Sequence, residues 1–237
     1  MSSKLSISIY KNAGKLPGYL LSLDKPHKKI YIMCILIELE VIELSQTKRQ
    51  EQKELTRQRI MNTAFRIYAV NGFSTPTNII AQEAGVSHGA IFVHFPTKEV
   101  LQLHVLERFA KEVLKKLHGL STTSEDISEL LHAHINVLHK YEEFYKKMIL
   151  EIASLPNEAR EIIISLQSAM SWHFSTVIEQ GQKAGLIKKI PLHMLFNTWI
   201  AILHYYLQNA DLFAPGASVL DCCGDELINT FVTLISQ

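Results

Sequence analysis

A chain of 237 residues with 47% hydrophobic and 20% charged side chains has the make-up of one or two globular domains, which excludes a disordered or fibrous protein. Ten glycines and seven prolines favour long helices over many short strands. The net charge of +1 conceals an asymmetry: Lys48 to Lys98 carries seven basic and three acidic side chains, whereas Glu99 onward carries 11 basic and 16 acidic, as expected when one small domain meets phosphate and the rest does not.

Residues 1–48 read as an extension outside the folded core, Ser-rich at first, with turn signals at Asn12 to Gly14 and at Pro17-Gly18. Its segment ILIELEVIEL partly alternates apolar residues with glutamate, as a strand would, but so short an alternation is weak evidence. The longest apolar run, Ile30 to Ile37, has eight residues against the ~20 a membrane helix needs. Lys25, Lys28 and Lys29 precede it, yet Glu38, Glu40 and Glu43 follow without a small-residue cleavage site, so neither export nor a membrane partner is expected. Cys34, Cys222 and Cys223 form no disulfide framework and no C-x-x-C pair, which fits a reducing, cytoplasmic setting.

Helical periodicity begins near Arg49. Ile60, Ala64, Ile67 and Tyr68 share one stripe, and Asn71-Gly72 supplies a stop. Thr75 then offers a cap with Pro76 in the first helical position, and Ile79, Ile80, Ala81 and Ala84 carry a short second helix to Gly85. Gly85 suits the left-handed residue that ends a helix, and Ser87 caps a third from His88 to His94, closed by Pro96. Thr97 caps a fourth, with apolar positions that include Leu101, Val105, Phe109 and Val113. Further helical patterns cover about 124–140, 142–154, 157–183, 191–210 and 217–235, and nothing after Arg49 calls for a strand. The expected architecture is all-α.

Two short helices joined by a glycine-containing turn describe a helix-turn-helix. The spacing agrees: Ala81 is small where the second helix passes closest to the first, and Val86 and Ile91 plug the gap between helices. Lys98 lies in the first turn of the fourth helix, where the helix dipole disfavours a cation, so an external anion is a natural partner.

The run TPTNIIAQEAGVSHGAIFVHFPTKE, Thr75 to Glu99, preceded by a helix ending in NGF, resembles the N-terminal DNA-binding domain of the TetR family of bacterial transcriptional regulators. The AGVS turn, the aromatic-x-His-Phe ending of the third helix and the following Thr-Lys-Glu carry the resemblance over about 50 residues. It implies a helix-turn-helix DNA-binding domain at 49–98 and a helical regulatory and dimerisation domain at 99–237. Carried over by position, it implies that Ser87, His88, Gly89 and Ala90 enter the major groove, while Thr75, Thr77, His94 and Lys98 hold phosphates. Phe92 stands where the family usually has tyrosine, so it packs or meets a thymine methyl.

A single reading helix makes few base contacts, so a homodimer spanning two half-sites of a double-stranded operator is expected. Leu192 to Gln208 and Leu220 to Ser236 are apolar over more than one face and fit a dimerising pair. The resemblance implies a small-molecule effector among Phe109, Tyr141, Phe144, Met148, Met170, Trp172, His173 and Phe174, and release of DNA when it binds, repression being the family's commonest mode. His132, His134 and His139 have no carboxylate or cysteine at ligand spacing, so neither metal nor cofactor is expected. No nucleotide-binding, nucleophile-elbow or zinc-protease motif identifies a reaction. The alternatives are an all-α enzyme and a helical adaptor without DNA readout.

Overall fold

In a computed structural model, the described residues are 48–121 and 126–237. The expectations for the N-terminal extension, its strand-like alternation and Cys34 lie outside them. The elements are α1 (Lys48–Asn71), α2 (Thr77–Ala84), α3 (His88–His94), α4 (Lys98–Ser121), α5 (Ile127–His139), α6 (Glu142–Glu151), α7 (Asn157–Lys183), α8 (Leu192–Gln208), α9 (Ala210–Phe213) and α10 (Val219–Ile235), with one 3-10 turn at Ile152–Ser154. Among the described residues no strand occurs. A lone antiparallel bridge joins Ile187 to Ser236.

The stripe read from sequence in α1 is the inner face: Ile60, Ala64, Ile67 and Tyr68 are all buried. They meet Ile80, Ala81 and Ala84 of α2 and Ile91 of α3, with Phe95 sealing the end. Gly85 ends α2 in the left-handed region at φ 62°, and the Val86 amide donates to the Ala81 carbonyl at 3.0 Å, which closes the turn and aims α3. Ser87 caps α3 by accepting from the Ala90 amide at 3.2 Å. Thr97 caps α4 by accepting from the Val100 amide at 3.3 Å.

The start of α2 differs from expectation. Pro76 is the N-cap rather than the first helical residue, with φ −65° and ψ 145°. Proline holds Thr75 out of the helical region, and the Thr75 hydroxyl turns back to donate to the Gly72 carbonyl at 2.8 Å.

In the C-terminal half α4 packs on α5 and α7, α10 packs on α5 and α8, and α8 also contacts α6 and α7. Three buried or half-buried polar arrangements tie these helices together. The Trp199 indole N–H donates to Nδ1 of His134 at 3.1 Å. The Tyr145 hydroxyl lies 2.8 Å from Nε2 of His204. Buried Glu142 accepts from the Ser218 hydroxyl at 2.5 Å and the Val219 amide at 2.8 Å, capping α10 from the start of α6 and satisfying a helix-terminal donor inside the protein.

Candidate nucleic-acid interface

The helix α3 is anchored on one side and bare on the other. Ile91 is fully buried, whereas His88, Gly89, Phe92 and Val93, spaced i, i+1, i+4 and i+5, are exposed. A helix with one such face open has the shape needed to enter a major groove. Ala90 is half-buried at the edge of that face. Phe92 belongs to the outward face and not to the core, and its ring meets the His88 ring edge to face at 5.1 Å.

Two residues expected at phosphates are engaged inside the domain. Thr75 is buried against the Gly72 carbonyl. Thr77 is also buried, with its hydroxyl 3.0 Å from Nε2 of His88. Thr77 therefore orients the histidine that faces outward and does not face outward itself. Exposed Ser87 spends its oxygen on the cap.

The cations gather at the flanks. The Lys98 ammonium donates to the Ser74 carbonyl at 2.6 Å, which pins the α1–α2 loop and leaves two of its three N–H groups for another acceptor. Burial lowers its pKa, against the pull of Glu99 and Glu151. His94 has a lowered pKa as well, through burial first, then Lys53 and Arg57, with Glu54 opposing. Its Nδ1 is buried without a hydrogen-bond partner. The Arg57 guanidinium lies 4.9 Å from the centre of the Phe95 ring. Lys53 and Arg57 are interface candidates that sequence reasoning counts as charge without assigning a role. Their i, i+4 spacing, which puts both on one helix face, is the available signal.

Of the eight residues expected around an effector, Phe109, Phe144, Met148, Met170 and Phe174 are buried in one hydrophobic core, and Tyr141 packs against it. Phe109, Tyr141 and Phe144 join Phe65 in one aromatic cluster, with the Phe65 and Phe144 rings stacked at 4.2 Å. Met148 is buried in α6, and Met170 is buried in α7. Phe174 packs against Phe196 and Phe231. Trp172 is 58% exposed, and half-buried His173 meets it ring to ring. The histidines considered for metal diverge: His134 is in the core, while His132 and His139 each face one α10 carboxylate, Asp225 at 3.5 Å and Asp221 at 3.0 Å. An open cleft of about 580 Å³ lies between α1, the start of α6 and residues 210–218, floored by Phe65, Tyr141 and Phe144. Among the described residues no helix is long and apolar enough to cross a membrane.

Comparison with known proteins agrees with this geometry. Residues 60–105 match the family model for bacterial regulatory proteins of the tetR family, and residues 121–208 match a tetracyclin repressor-like C-terminal domain. The chain is 26% identical over 134 residues to the uncharacterized HTH-type transcriptional regulator YuxN of Bacillus subtilis, covering 53% of this chain and 46% of that protein. It thus spans less than half the length of that relative. It is 28% identical over 174 residues to the HTH-type transcriptional regulator RutR of Escherichia coli O157:H7, covering 71% of this chain and 79% of the relative. A crystal structure of a transcriptional regulator from Saccharomonospora viridis in complex with choline shares the fold, with a TM-score of 0.66, 22% identity, and coverage of 78% of this chain and 99% of that one. With both the reading domain and the C-terminal domain matched, the chain belongs to the TetR family of helix-turn-helix transcriptional regulators.

Proposed function

We propose that the protein is a homodimeric repressor that binds a palindromic operator in the cytoplasm and is released by a small-molecule effector. The observation that carries this reading is the bare face of α3 flanked by Lys53, Arg57, His94 and Lys98. The four cationic or protonatable groups make no ion pair among the described residues, so a phosphate backbone is a partner of matching charge. In this reading Nε2 of His94, the nitrogen not buried, donates to a phosphate.

For the dimer, α8 presents Met194, Thr198, Ala201 and Tyr205 on its exposed side, at i, i+4, i+7 and i+11, and Leu212 of α9 is exposed too. That spacing is a helix-pairing seam. The outward side of α10 is more polar than its composition indicates: Cys222, Glu226, Asn229 and Thr233 are exposed there, with Leu234 the large apolar exception. For the effector, the cleft floored by Phe65, Tyr141 and Phe144 touches α1 of the reading domain and α6 of the regulatory half. Its volume falls within the usual range for small-molecule sites. An occupant there biases the separation of the two reading helices and so shifts the population away from the DNA-competent state.

The test is binding to a duplex selected from a random library. Affinity is expected to fall roughly thousand-fold or more between 50 and 200 mM salt if several phosphates are held. Arg57→Ala or Lys98→Ala should weaken binding to all sequences alike and flatten that salt dependence. Absence of any duplex binding at low salt would overturn the proposal in favour of a helical adaptor or an enzyme.

A further inference from the structure

The reading face of α3 is short of hydrogen-bonding groups. Residues 87 to 95 run Ser-His-Gly-Ala-Ile-Phe-Val-His-Phe, with none of the arginine or lysine that reads guanine and none of the asparagine or glutamine that reads adenine. The polar atoms that do occur are largely spent. The Ser87 oxygen accepts the capping bond and keeps only its hydroxyl proton to donate, the Thr77 hydroxyl is bonded to Nε2 of His88, and His94 sits at the far end beside Lys53 and Arg57. Of the His88 ring, only Nδ1 remains for a base edge, and the ring is held between Thr77 and Phe92.

The rest of the face is hydrocarbon. Phe92 is 41% exposed and Val93 is 69% exposed, adjacent on the outer side of a seven-residue helix. Gly89 lies one turn before them, with nothing within 4 Å of where a Cβ would stand, so the backbone itself can approach the groove floor. The major-groove edges of the four bases offer one apolar feature, the 5-methyl group of thymine. An exposed phenyl and an exposed isopropyl group have no other partner there that repays their desolvation.

We infer that Phe92 and Val93 determine sequence specificity by packing on thymine methyl groups, with Nδ1 of His88 and the hydroxyl proton of Ser87 the only side-chain polar groups of this face left for a base. This inference rests on the DNA-binding reading above and names the chemistry it recognises. Each half-site then carries thymines at the positions facing residues 92 and 93, and discrimination at those positions depends on methyl contact, not on hydrogen-bond pattern.

The test uses the full chain and its selected duplex, with each thymine replaced in turn by deoxyuridine, which removes the methyl and keeps every hydrogen-bonding atom. One buried methyl corresponds to about fourfold in affinity. Two positions per half-site should therefore each lose about fourfold, and Val93→Ala or Phe92→Ala should abolish the loss at its own position and leave the other. Both residues are exposed, so folding of the variants is not at issue, and a far-ultraviolet spectrum verifies it. Unchanged affinity at every deoxyuridine position would overturn the inference while leaving DNA binding intact. Losses that persist unchanged in both variants would overturn it too. Failure to select any duplex would remove the DNA-binding reading itself.

Discussion

Lowering the pH from 7 to 5 is expected to destabilise the regulatory half by about 4 kcal/mol through two histidines alone. His134 is buried in α5, and desolvation, reinforced by the charge of His204, lowers its pKa to about 3. His204 of α8 is lowered to about 4 by desolvation. In the unfolded chain both return to about 6.5. Between 6.5 and those folded values the unfolded state binds more protons, so stability present above pH 6.5 is lost as pH falls. Each group contributes about 2 kcal/mol of that loss by pH 5, a large share of a typical domain's 5–15 kcal/mol. Protonation acts differently on the hydrogen bond of each. Trp199 donates to Nδ1 of His134, and a proton there sets N–H against N–H. The Tyr145 hydroxyl beside His204 can rotate from donor to acceptor. Denaturant unfolding at pH 7, 6 and 5 measures the effect. His134→Gln, whose amide oxygen still accepts from Trp199, should remove about half of the pH dependence. An unchanged slope in that variant and in His204→Gln would contradict the assignment.

The hydrogen-bond partners of these histidines, Trp199 and Tyr145, lie 65 and 59 residues away and are not legible in the sequence. His134 falls beside His132 and His139, and histidines at short spacing raise the question of a metal, yet the apolar stripe through Leu130, Leu131, Ile135 and Leu138 includes His134 alone of the three. The packing of α5 on α10 and α4 covers that stripe and leaves His132 and His139 half-exposed toward Asp225 and Asp221. By contrast, the helix-turn-helix is legible nearly residue by residue. Its signals are local: the left-handed Gly85, the capping Ser87 and Thr97, and small Ala81 each answer to a need within a few residues. The face of α3 follows from the same periodicity. What the sequence does not reveal is the role of each polar side chain on it, since Thr75 and Thr77 are placed by partners three and eleven residues away. The effector residues are the least legible. Aromatics at helical spacing line a cavity or fill a core equally well, and here they divide between the core and, for Trp172, the surface.

Glu151→Ala is expected to cost about 1–3 kcal/mol and to loosen the loop that carries the reading helices. Glu151 is the last residue of α6, yet its carboxylate accepts the Phe73 amide at 2.9 Å, 78 residues earlier in the chain. The same loop is held from α4 by Gln102, which donates to the Phe73 carbonyl at 2.8 Å, and by Lys98 through Ser74. Both backbone groups of Phe73 are thus satisfied by side chains of α4 and α6, and its ring stacks on Tyr68 and meets Phe144. Removing the carboxylate leaves a part-buried N–H without its acceptor. Gly72 couples to the same contact. It has φ +85°, and a Cβ on it would collide with Oε1 of Glu151. Gly72→Ala therefore incurs about 1–2 kcal/mol for the left-handed backbone and also displaces Glu151 from Phe73. The two substitutions should be sub-additive, because in the Glu151→Ala background the change at Gly72 adds only the backbone strain. Denaturant unfolding of both single variants and the double measures this coupling, with an expected shortfall from additivity of about 1–3 kcal/mol. Strict additivity would mean that the Glu151 carboxylate and the Gly72 turn act independently, and that α6 does not hold the reading domain through this loop.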